Sequence, residues 1–148
     1  MINELHMNDI FDIKTDVLIN IVDCTGRLSS NLALDFRRRY PLNFRAYHKE
    51  CLHKNLVSGT NFVYETKRGN AKFIVNFIIK EDFNDCLKLD TIEKCIDELY
   101  EYIQNSEIKS ITIPVLITDK DDLSWLDIKD LIYAKLNDLT DVEIFLAE

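Results

Sequence analysis

Strand-like and helix-like segments alternate along the whole of this 148-residue chain, and that alternation limits how it can fold more than any other feature. Residues 17–22 form a compact run of β-branched and aliphatic side chains, the pattern of a strand buried on both faces. Other segments repeat their apolar side chains at the spacing of a helix. The pattern predicts strands at residues 2–6, 17–22, 60–65, 72–79, 110–114 and 142–147, and helices after Ser30, over 42–54, from Asp90 and from Ser124.

The predicted order of elements is β, β, α, α, β, β, α, β, α, β, which indicates a single α/β domain over residues 1–148. This order is typical of a mixed sheet with helices on both faces. Ligands of such folds gather at the carboxyl ends of the strands. Those ends are residues 22–26, 79–82 and 114–122, and we expect a binding site there.

Glycine is scarce in this chain. It occurs only as Gly26, Gly59 and Gly69, about 2% of residues where ~7% is usual. The sequence contains neither a P-loop nor a G-x-G-x-x-G motif. Nucleotide sites built on those glycine-rich turns are therefore excluded.

The net charge of −8 argues against a general nucleic-acid binder, because such proteins attract phosphates with a basic face. No apolar stretch approaches the ~20 residues of a membrane helix, and the first residues lack the hydrophobic run of a signal peptide. The four cysteines have no C-x-x-C spacing. We therefore expect reduced thiols in a cytoplasmic protein, with no membrane partner and no cofactor.

The one basic concentration lies between residues 37 and 54. It holds six cations and one anion, which leaves −13 for the rest of a chain whose total charge is −8. Arg37, Arg38 and Arg39 lead this segment and could hold a polyanion such as DNA, or an acidic protein. A solvated helix face accounts for the same residues and is slightly favoured.

Four charged residues near strand ends are candidates for chemistry. Asp23 could be a general base beside Thr25, or it could close an Asx turn, and the turn is favoured. Lys80 follows an apolar strand, so it could be a desolvated nucleophile or base, or simply a surface lysine. Glu81 and Asp82 are neighbours that point to opposite sides of an extended chain, which favours a solvated turn over a carboxylate pair.

His48, Cys51 and His53 lie close together, and the first two share a helix face. A zinc site needs three or four ligands, and no second cluster in the sequence supplies the rest. A half-buried cysteine near surface histidines is therefore favoured, and we expect no metal site.

The ordered segments of this chain resemble the macrodomain family. Residues 16–26, 32–41 and 43–47 carry the first part of the resemblance. The later parts follow in order, at residues 62–65, 73–77 with Lys80, 111–114 and 123–125. The resemblance covers roughly residues 8–147 and is nearest to the branch of the DarG antitoxin. It implies a three-layer α/β/α sandwich with an ADP-ribose cleft at the strand ends.

Members of the DarG branch remove ADP-ribose from DNA bases and neutralise a partner ADP-ribosyltransferase toxin. The resemblance implies ligand contacts from Asn20, Asp23, Thr25 and Gly26. Asp23 stands where the family has an asparagine that contacts the distal ribose. The catalytic lysine of the branch corresponds to Lys80.

Two loops depart from the family pattern. Residues 28–31 replace a glycine-containing stretch, and residues 116–122 replace a glycine-rich phosphate loop. Side chains there occupy the space of a pyrophosphate, at about 1–3 kcal/mol for each strained residue. Asp119, Asp121 and Asp122 would also face the phosphates, and unit charges about 4 Å apart repel by roughly 4 kcal/mol. We therefore expect weak or absent binding of ADP-ribose in the usual pose.

Three functions remain open, and the sequence does not decide whether the protein is an enzyme. The first is a degenerate macrodomain that binds an ADP-ribose-related nucleotide or a protein partner with little or no hydrolase activity. The second is a DarG-type hydrolase that uses Lys80 to remove ADP-ribose from DNA or protein, as an antitoxin or a viral counter-defence factor. The third is an interaction protein that uses the basic helix face. The sequence favours them in that order.

Overall fold

The computed structural model describes residues 1–6, 9–28, 30–117 and 123–148. The strands of this part of the chain are β1 (Ile2–Leu5), β2 (Thr15–Asp23), β3 (Asn61–Glu65), β4 (Ala71–Lys80), β5 (Ser110–Pro114) and β6 (Glu143–Ala147). They form one six-stranded sheet in the order β1-β6-β5-β2-β4-β3. Neighbouring strands are parallel except β3, which is antiparallel to β4. The predicted mixed sheet is confirmed.

Helices cover both faces of this sheet. The α-helices of the described residues are α1 (Asn31–Arg39), α2 (Pro41–Leu52), α3 (Leu89–Gln104) and α4 (Trp125–Leu136), and a 3₁₀ helix, Ile10–Asp12, precedes β2. α1 and α2 pack on one face, whereas α3 and α4 pack together on the other. The fold is therefore the predicted three-layer α/β/α sandwich.

The alternation of side chains along β2 divides the core between the two faces. Val17 and Ile19 join the larger core under α3 and α4, and both are fully buried. Leu18, between them, packs under α1 with Phe36 and Ile74. Burying each such side chain contributes about 1.5–3 kcal/mol, so a strand buried on both faces anchors all three layers.

Local signals set the ends of three helices. The Ser30 hydroxyl accepts a hydrogen bond from the Ala33 N–H at 3.0 Å, and the Ser124 hydroxyl accepts one from the Asp127 N–H at 3.1 Å. These bonds satisfy first-turn N–H groups that have no partner within the helix. Pro41 occupies the first turn of α2, where its missing N–H costs nothing.

α3 begins one residue before the predicted start. Lys88 is its N-cap and makes no side-chain hydrogen bond to the first turn. Asp90 instead lies inside that turn, where the positive end of the helix dipole stabilises its negative charge.

No helix among the described residues combines the length and the apolar character that a bilayer span requires.

Asp16 joins the amino ends of β2 and β5. Its Oδ2 accepts from the Lys109 N–H at 2.8 Å, and its own N–H donates to Ser110 Oγ at 2.8 Å. Lys72 Nζ lies 3.3 Å from Oδ1. Burial raises the pKa of the Asp16 carboxyl, but the hydrogen bond from the Lys109 N–H, together with the hydrogen bond and charge of Lys72, outweighs burial, so that the pKa falls below its ordinary value.

We expect Asp16→Asn to lower the free energy of unfolding at pH 7 by about 1 kcal/mol. Because the pKa is lower in the folded state, this contribution is complete above the unfolded pKa, near 4, and is lost as the pH falls through the folded pKa. Thermal unfolding measured between about pH 2 and 7 should therefore show variant and wild type converging in acid. Asp12→Asn, at an exposed carboxyl, is the control. A difference that stays constant with pH would contradict the assignment.

Candidate functional site

The carboxyl ends of β2, β4 and β5 meet at one edge of the sheet. The register between β2 and β4 shifts after Val22, so that Asp23 pairs with Lys80. The Cys24 N–H then donates to the Lys80 carbonyl at 3.0 Å. We call the surface formed by residues 23–28, 80–83 and 114–117 the strand-end edge.

Asp23 is buried at this edge, with 6% of its surface exposed. Its Oδ1 accepts from the Thr25 N–H at 2.7 Å, the Thr25 hydroxyl at 2.7 Å and the Gly26 N–H at 3.1 Å. Its carbonyl accepts from the Tyr47 hydroxyl at 2.6 Å. The side chain thus closes the turn that the sequence favoured, and the same contacts order residues 23–26 as a unit.

Gly26 occupies a conformation and a space that suit only glycine. Its φ is +82°, in the left-handed region. A Cβ atom at this position would lie 2.8 Å from Cδ2 of His48 and 3.7 Å from Sγ of Cys51. The turn after β2 is therefore packed tightly against α2.

Lys80 is half-buried at the end of β4. The next residue, Glu81, accepts from the Ser58 N–H at 3.1 Å and the Ser58 hydroxyl at 3.0 Å, and these bonds lower the pKa of its carboxyl. Asp82 accepts instead from the Asn84 N–H at 3.1 Å. The two acidic side chains therefore hold separate turns and do not form a carboxylate pair, as expected.

Cys24 lies beside Glu81 but is not activated. Burial, with the negative charge of Glu81, raises the pKa of its thiol to about 12. The sulfur donates weakly to the Leu56 carbonyl at 3.5 Å. A thiol in this state is not a nucleophile at neutral pH.

Three buried asparagines link β2, β4 and α2. Asn20 Nδ2 donates to Asn76 Oδ1 at 3.0 Å, and Asn43 Nδ2 donates to the same oxygen at 3.3 Å. Asn76 Nδ2 donates in turn to Asn43 Oδ1 at 2.9 Å and to the Phe62 carbonyl at 3.1 Å. We call Asn20, Asn43 and Asn76 the amide network. Its three members are at most 3% exposed, and no described group donates to Oδ1 of Asn20.

The sequence analysis identified Asn20 but missed its two partners. A signal was present, because asparagine is depleted in strands and Asn76 interrupts an apolar run. Asn20 and Asn76 are also direct neighbours in the ladder between β2 and β4. The role of Asn20 as a ligand contact stays a prediction, as do those of Asp23, Thr25 and Gly26.

The arginine triplet, Arg37, Arg38 and Arg39, forms the last turn of α1, about 9–12 Å along the helix from its first residue. Arg38 is ion-paired with Asp35 and Arg39 with Asp9, both at 2.7 Å. Arg37 is exposed and lies over an aromatic ring of α2. The triplet is therefore not one uniform cationic surface.

Two further predictions concern metals and the acidic loop. No group of three or more metal-ligating side chains occurs among the described residues. His48 and Cys51 both pack against Gly26, whereas His53 is exposed. The acidic residues expected to oppose phosphate, Asp119, Asp121 and Asp122, lie outside the described residues.

A family model described as "Macro domain" matches residues 19–132. This chain belongs to the macrodomain family. The macrodomain is 32% identical over 136 residues to a DNA ADP-ribosyl glycohydrolase of Mycobacterium tuberculosis, a match that covers 91% of this chain and 39% of that protein. A DNA ADP-ribosyl glycohydrolase of Thermus aquaticus is 29% identical over 143 residues, covering 95% of this chain and 39% of the relative.

The similarity extends to three dimensions. The solved macrodomain of Mycobacterium tuberculosis DarG matches with a TM-score of 0.92 at 30% identity, covering 99% of this chain and 97% of that one. The resemblance to DarG macrodomains predicted from the sequence is confirmed. This macrodomain spans 39% of the length of the two curated relatives.

Proposed function

We propose that this macrodomain binds an ADP-ribose-related nucleotide at the strand-end edge and has little hydrolase activity. Membership of the macrodomain family and similarity to the DarG macrodomain support the choice of ligand. The register of β2 and β4 supports the location, because it places Asp23 and Lys80 together at the carboxyl ends of the strands, where ligands of α/β folds bind.

We infer low turnover from the hydrogen bonds and the charge of the Asp23 carboxylate. Its oxygen accepts three hydrogen bonds from its own turn and brings a carboxylate to the edge. In the family this macrodomain resembles, an asparagine stands here, and an amide can donate to a ribose hydroxyl whereas a carboxylate cannot. A carboxylate also repels a nearby pyrophosphate. Both effects weaken the hold on the ligand that hydrolysis requires.

Lys80 favours a second candidate function, hydrolysis of the DarG type. It is half-buried at the end of β4, and its carbonyl is held by the Cys24 N–H beside the Asp23 turn. Both curated relatives are named DNA ADP-ribosyl glycohydrolases. In this candidate function Lys80 is the catalytic residue, and ADP-ribosylated DNA or protein is the substrate.

We also propose a surface that binds the DNA or protein to which the ADP-ribose is attached. The sequence left a DNA or protein partner open for Arg37, Arg38 and Arg39, beside the slightly favoured solvated helix face. Arg37 is the member without an acidic partner at ion-pair distance among the described residues. An interaction protein that used this basic face alone would bind its partner without help from the strand-end edge.

We also propose that the protein is cytoplasmic, because its four free thiols stay reduced in that compartment.

Release of ADP-ribose from an ADP-ribosylated oligonucleotide, followed with protein in excess, tests the proposal. We expect wild-type release close to the uncatalysed rate. Asp23→Asn restores the amide and should raise release roughly tenfold, which corresponds to about 1.4 kcal/mol. Adding Lys80→Ala to that variant should return the rate to background, whereas Lys14→Ala, at an exposed lysine, should not. Rapid wild-type release that Lys80→Ala abolishes would establish the second function instead.

A further inference from the structure

An apolar groove lies at the end of the sheet opposite the strand-end edge. It separates the start of α2, at residues 40–43, from the turn between β3 and β4, at residues 64–68, and we call it the hairpin groove. The groove has a volume of about 90 Å³ and mostly apolar walls. A single water needs about 10–15 Å³, so the groove has room for one aliphatic side chain. β4 runs from this turn to the strand-end edge over roughly 30 Å, which separates the groove from the proposed nucleotide site.

The free edge of the sheet borders the hairpin groove, because β3 is the outermost strand and pairs with β4 alone. The Thr66 N–H donates to the Lys72 carbonyl at 2.8 Å. The Ile78 N–H donates to the Thr60 carbonyl at 2.9 Å. Hydrogen bonds alternate along an antiparallel ladder, so Val63 directs its N–H and carbonyl away from β4. Neither group has a partner among the described residues. The edge therefore offers the main-chain donor and acceptor that an added strand uses.

The side chains of β3 alternate between the two faces of the sheet. Phe62 and Tyr64 pack in the cores under α1 and α2. Asn61 lies on the opposite face and donates to the Cys95 carbonyl of α3 at 3.1 Å. A strand added beside β3 would place every second side chain on the α2 side. The side chain beside Tyr64 would enter the hairpin groove, which Tyr64 lines.

Positive charge surrounds the hairpin groove. Lys67 and Arg68 line it, both are exposed, and neither makes an ion pair with a described residue. Residues 66–72 hold three cations and no anion in a chain whose net charge is −8. At the other wall α2 begins without a side-chain cap, so the positive end of its dipole adds to this charge. The surroundings of the groove are therefore complementary to a carboxylate.

We propose that the hairpin groove and the free edge of β3 bind an extended acidic segment of a partner protein. The segment adds to the sheet as an edge strand, and its main chain pairs with Val63. An aliphatic side chain beside Tyr64 fills the groove. A carboxylate two positions further along the segment lies on the same side, near Arg68 and the start of α2.

A second copy of this chain fits the edge less well than an acidic segment. Pairing of two β3 strands about Val63 places Glu65 of one copy opposite Asn61 of the other. The Asn61 N–H donates to Glu98 at 3.1 Å, so this N–H is already occupied. Glu65 would also approach Glu98, and like charges that face each other across strands are destabilising.

Fluorescence anisotropy at low salt, with a labelled peptide of about eight residues, tests the proposal. In the peptide, threonine alternates with aspartate, leucine and glutamate, so that the leucine and both carboxylates share one side. Val63→Pro removes the outward N–H and should abolish binding. It should leave β3 paired, because proline is tolerated at an edge-strand position whose N–H takes no part in the ladder. Val63→Thr keeps the N–H and should bind within twofold of the wild type.

Two further variants test the groove and its charge without altering the edge. Leu42→Asp changes a wall residue that is 55% exposed, and it should weaken binding at least tenfold by repelling the carboxylates. The fold should persist, because an acidic residue is favourable in the first turn of a helix. Arg68→Ala should weaken binding about threefold and reduce its salt dependence. Lys109→Ala, at an exposed lysine beside the start of β5, is the matched control and should leave binding unchanged.

Thermal unfolding establishes that each variant is folded, and Leu42→Asp keeps the test decisive if Val63→Pro is not. No binding of the peptide, full binding by Val63→Pro or by Leu42→Asp, or equal binding of a peptide with threonine in place of leucine would each overturn the proposal. A dimer in sedimentation that Val63→Pro dissociates would assign the edge to a second copy instead. A single-stranded oligonucleotide that displaces the peptide and binds Val63→Pro equally would assign the cations to nucleic acid.

Discussion

Asn76→Leu is expected to lower the free energy of unfolding by about 3–5 kcal/mol. The substitution keeps the number of heavy atoms in a fully buried side chain but removes four hydrogen bonds. It leaves the amides of Asn20 and Asn43 without their partner, at a cost of about 1–3 kcal/mol for each buried polar group. Because β2, β4 and α2 meet at this network, the loss affects the layer that supports the strand-end edge.

Thermal unfolding measures this effect, with a drop in midpoint of roughly 6–20 °C for a chain of this size. Asn84→Leu, at an exposed asparagine, is the matched control and should change the midpoint little. A loss below about 1 kcal/mol in Asn76→Leu would contradict this account, because the amides of Asn20 and Asn43 would then lose their partner at no cost.

Gly26→Ala is expected to abolish binding of ADP-ribose and to lower stability by about 1–3 kcal/mol. A non-glycine residue is strained at φ +82°, and its Cβ would lie 2.8 Å from His48. Relief of that contact requires the turn or the His48 ring to move. Movement of the turn displaces the hydrogen bonds that the Thr25 and Gly26 N–H groups donate to Asp23.

Gly69→Ala separates the loss of ADP-ribose binding from the loss of stability. Gly69 also has a left-handed φ, +83°, and its Cβ would meet the Tyr40 hydroxyl, but it lies in the turn between β3 and β4, away from the strand-end edge. We expect a similar loss of stability with ADP-ribose binding retained. Equal binding losses in both variants, measured by calorimetric titration at a temperature where both are folded, would remove the assignment of Gly26 to the site.

The features that were predictable from sequence are those fixed by neighbouring residues. The strand around residue 19 follows from its β-branched run, and the Asp23 turn from an aspartate that bonds to N–H groups two and three positions later. The first turn of α3 was harder to predict, since Lys88 provides no capping side chain.

The features that the sequence did not predict depend on contacts between residues far apart in the chain. Asn43 and Asn76 are separated by 33 positions, and neither carries a local pattern that pairs it with the other. The contact of Gly26 with His48 likewise exists only because α2 returns across the sheet to the end of β2. Composition and periodicity identify the layers of such a fold, but they do not determine which polar groups meet between layers.

We propose that the strand-end edge still binds ADP-ribose, weakly, because a carboxylate stands at position 23. Thermal unfolding of the wild type and of Asp23→Asn with and without millimolar ADP-ribose tests it most directly. A ligand near its dissociation constant stabilises by about 0.4 kcal/mol, and one at a tenfold excess by about 1.4 kcal/mol. We predict a rise of about 1 °C for the wild type and of roughly 3–6 °C for Asp23→Asn, whose affinity we expect to be tenfold higher. No rise in either protein, or a wild-type rise as large as that of the variant, would contradict the claim.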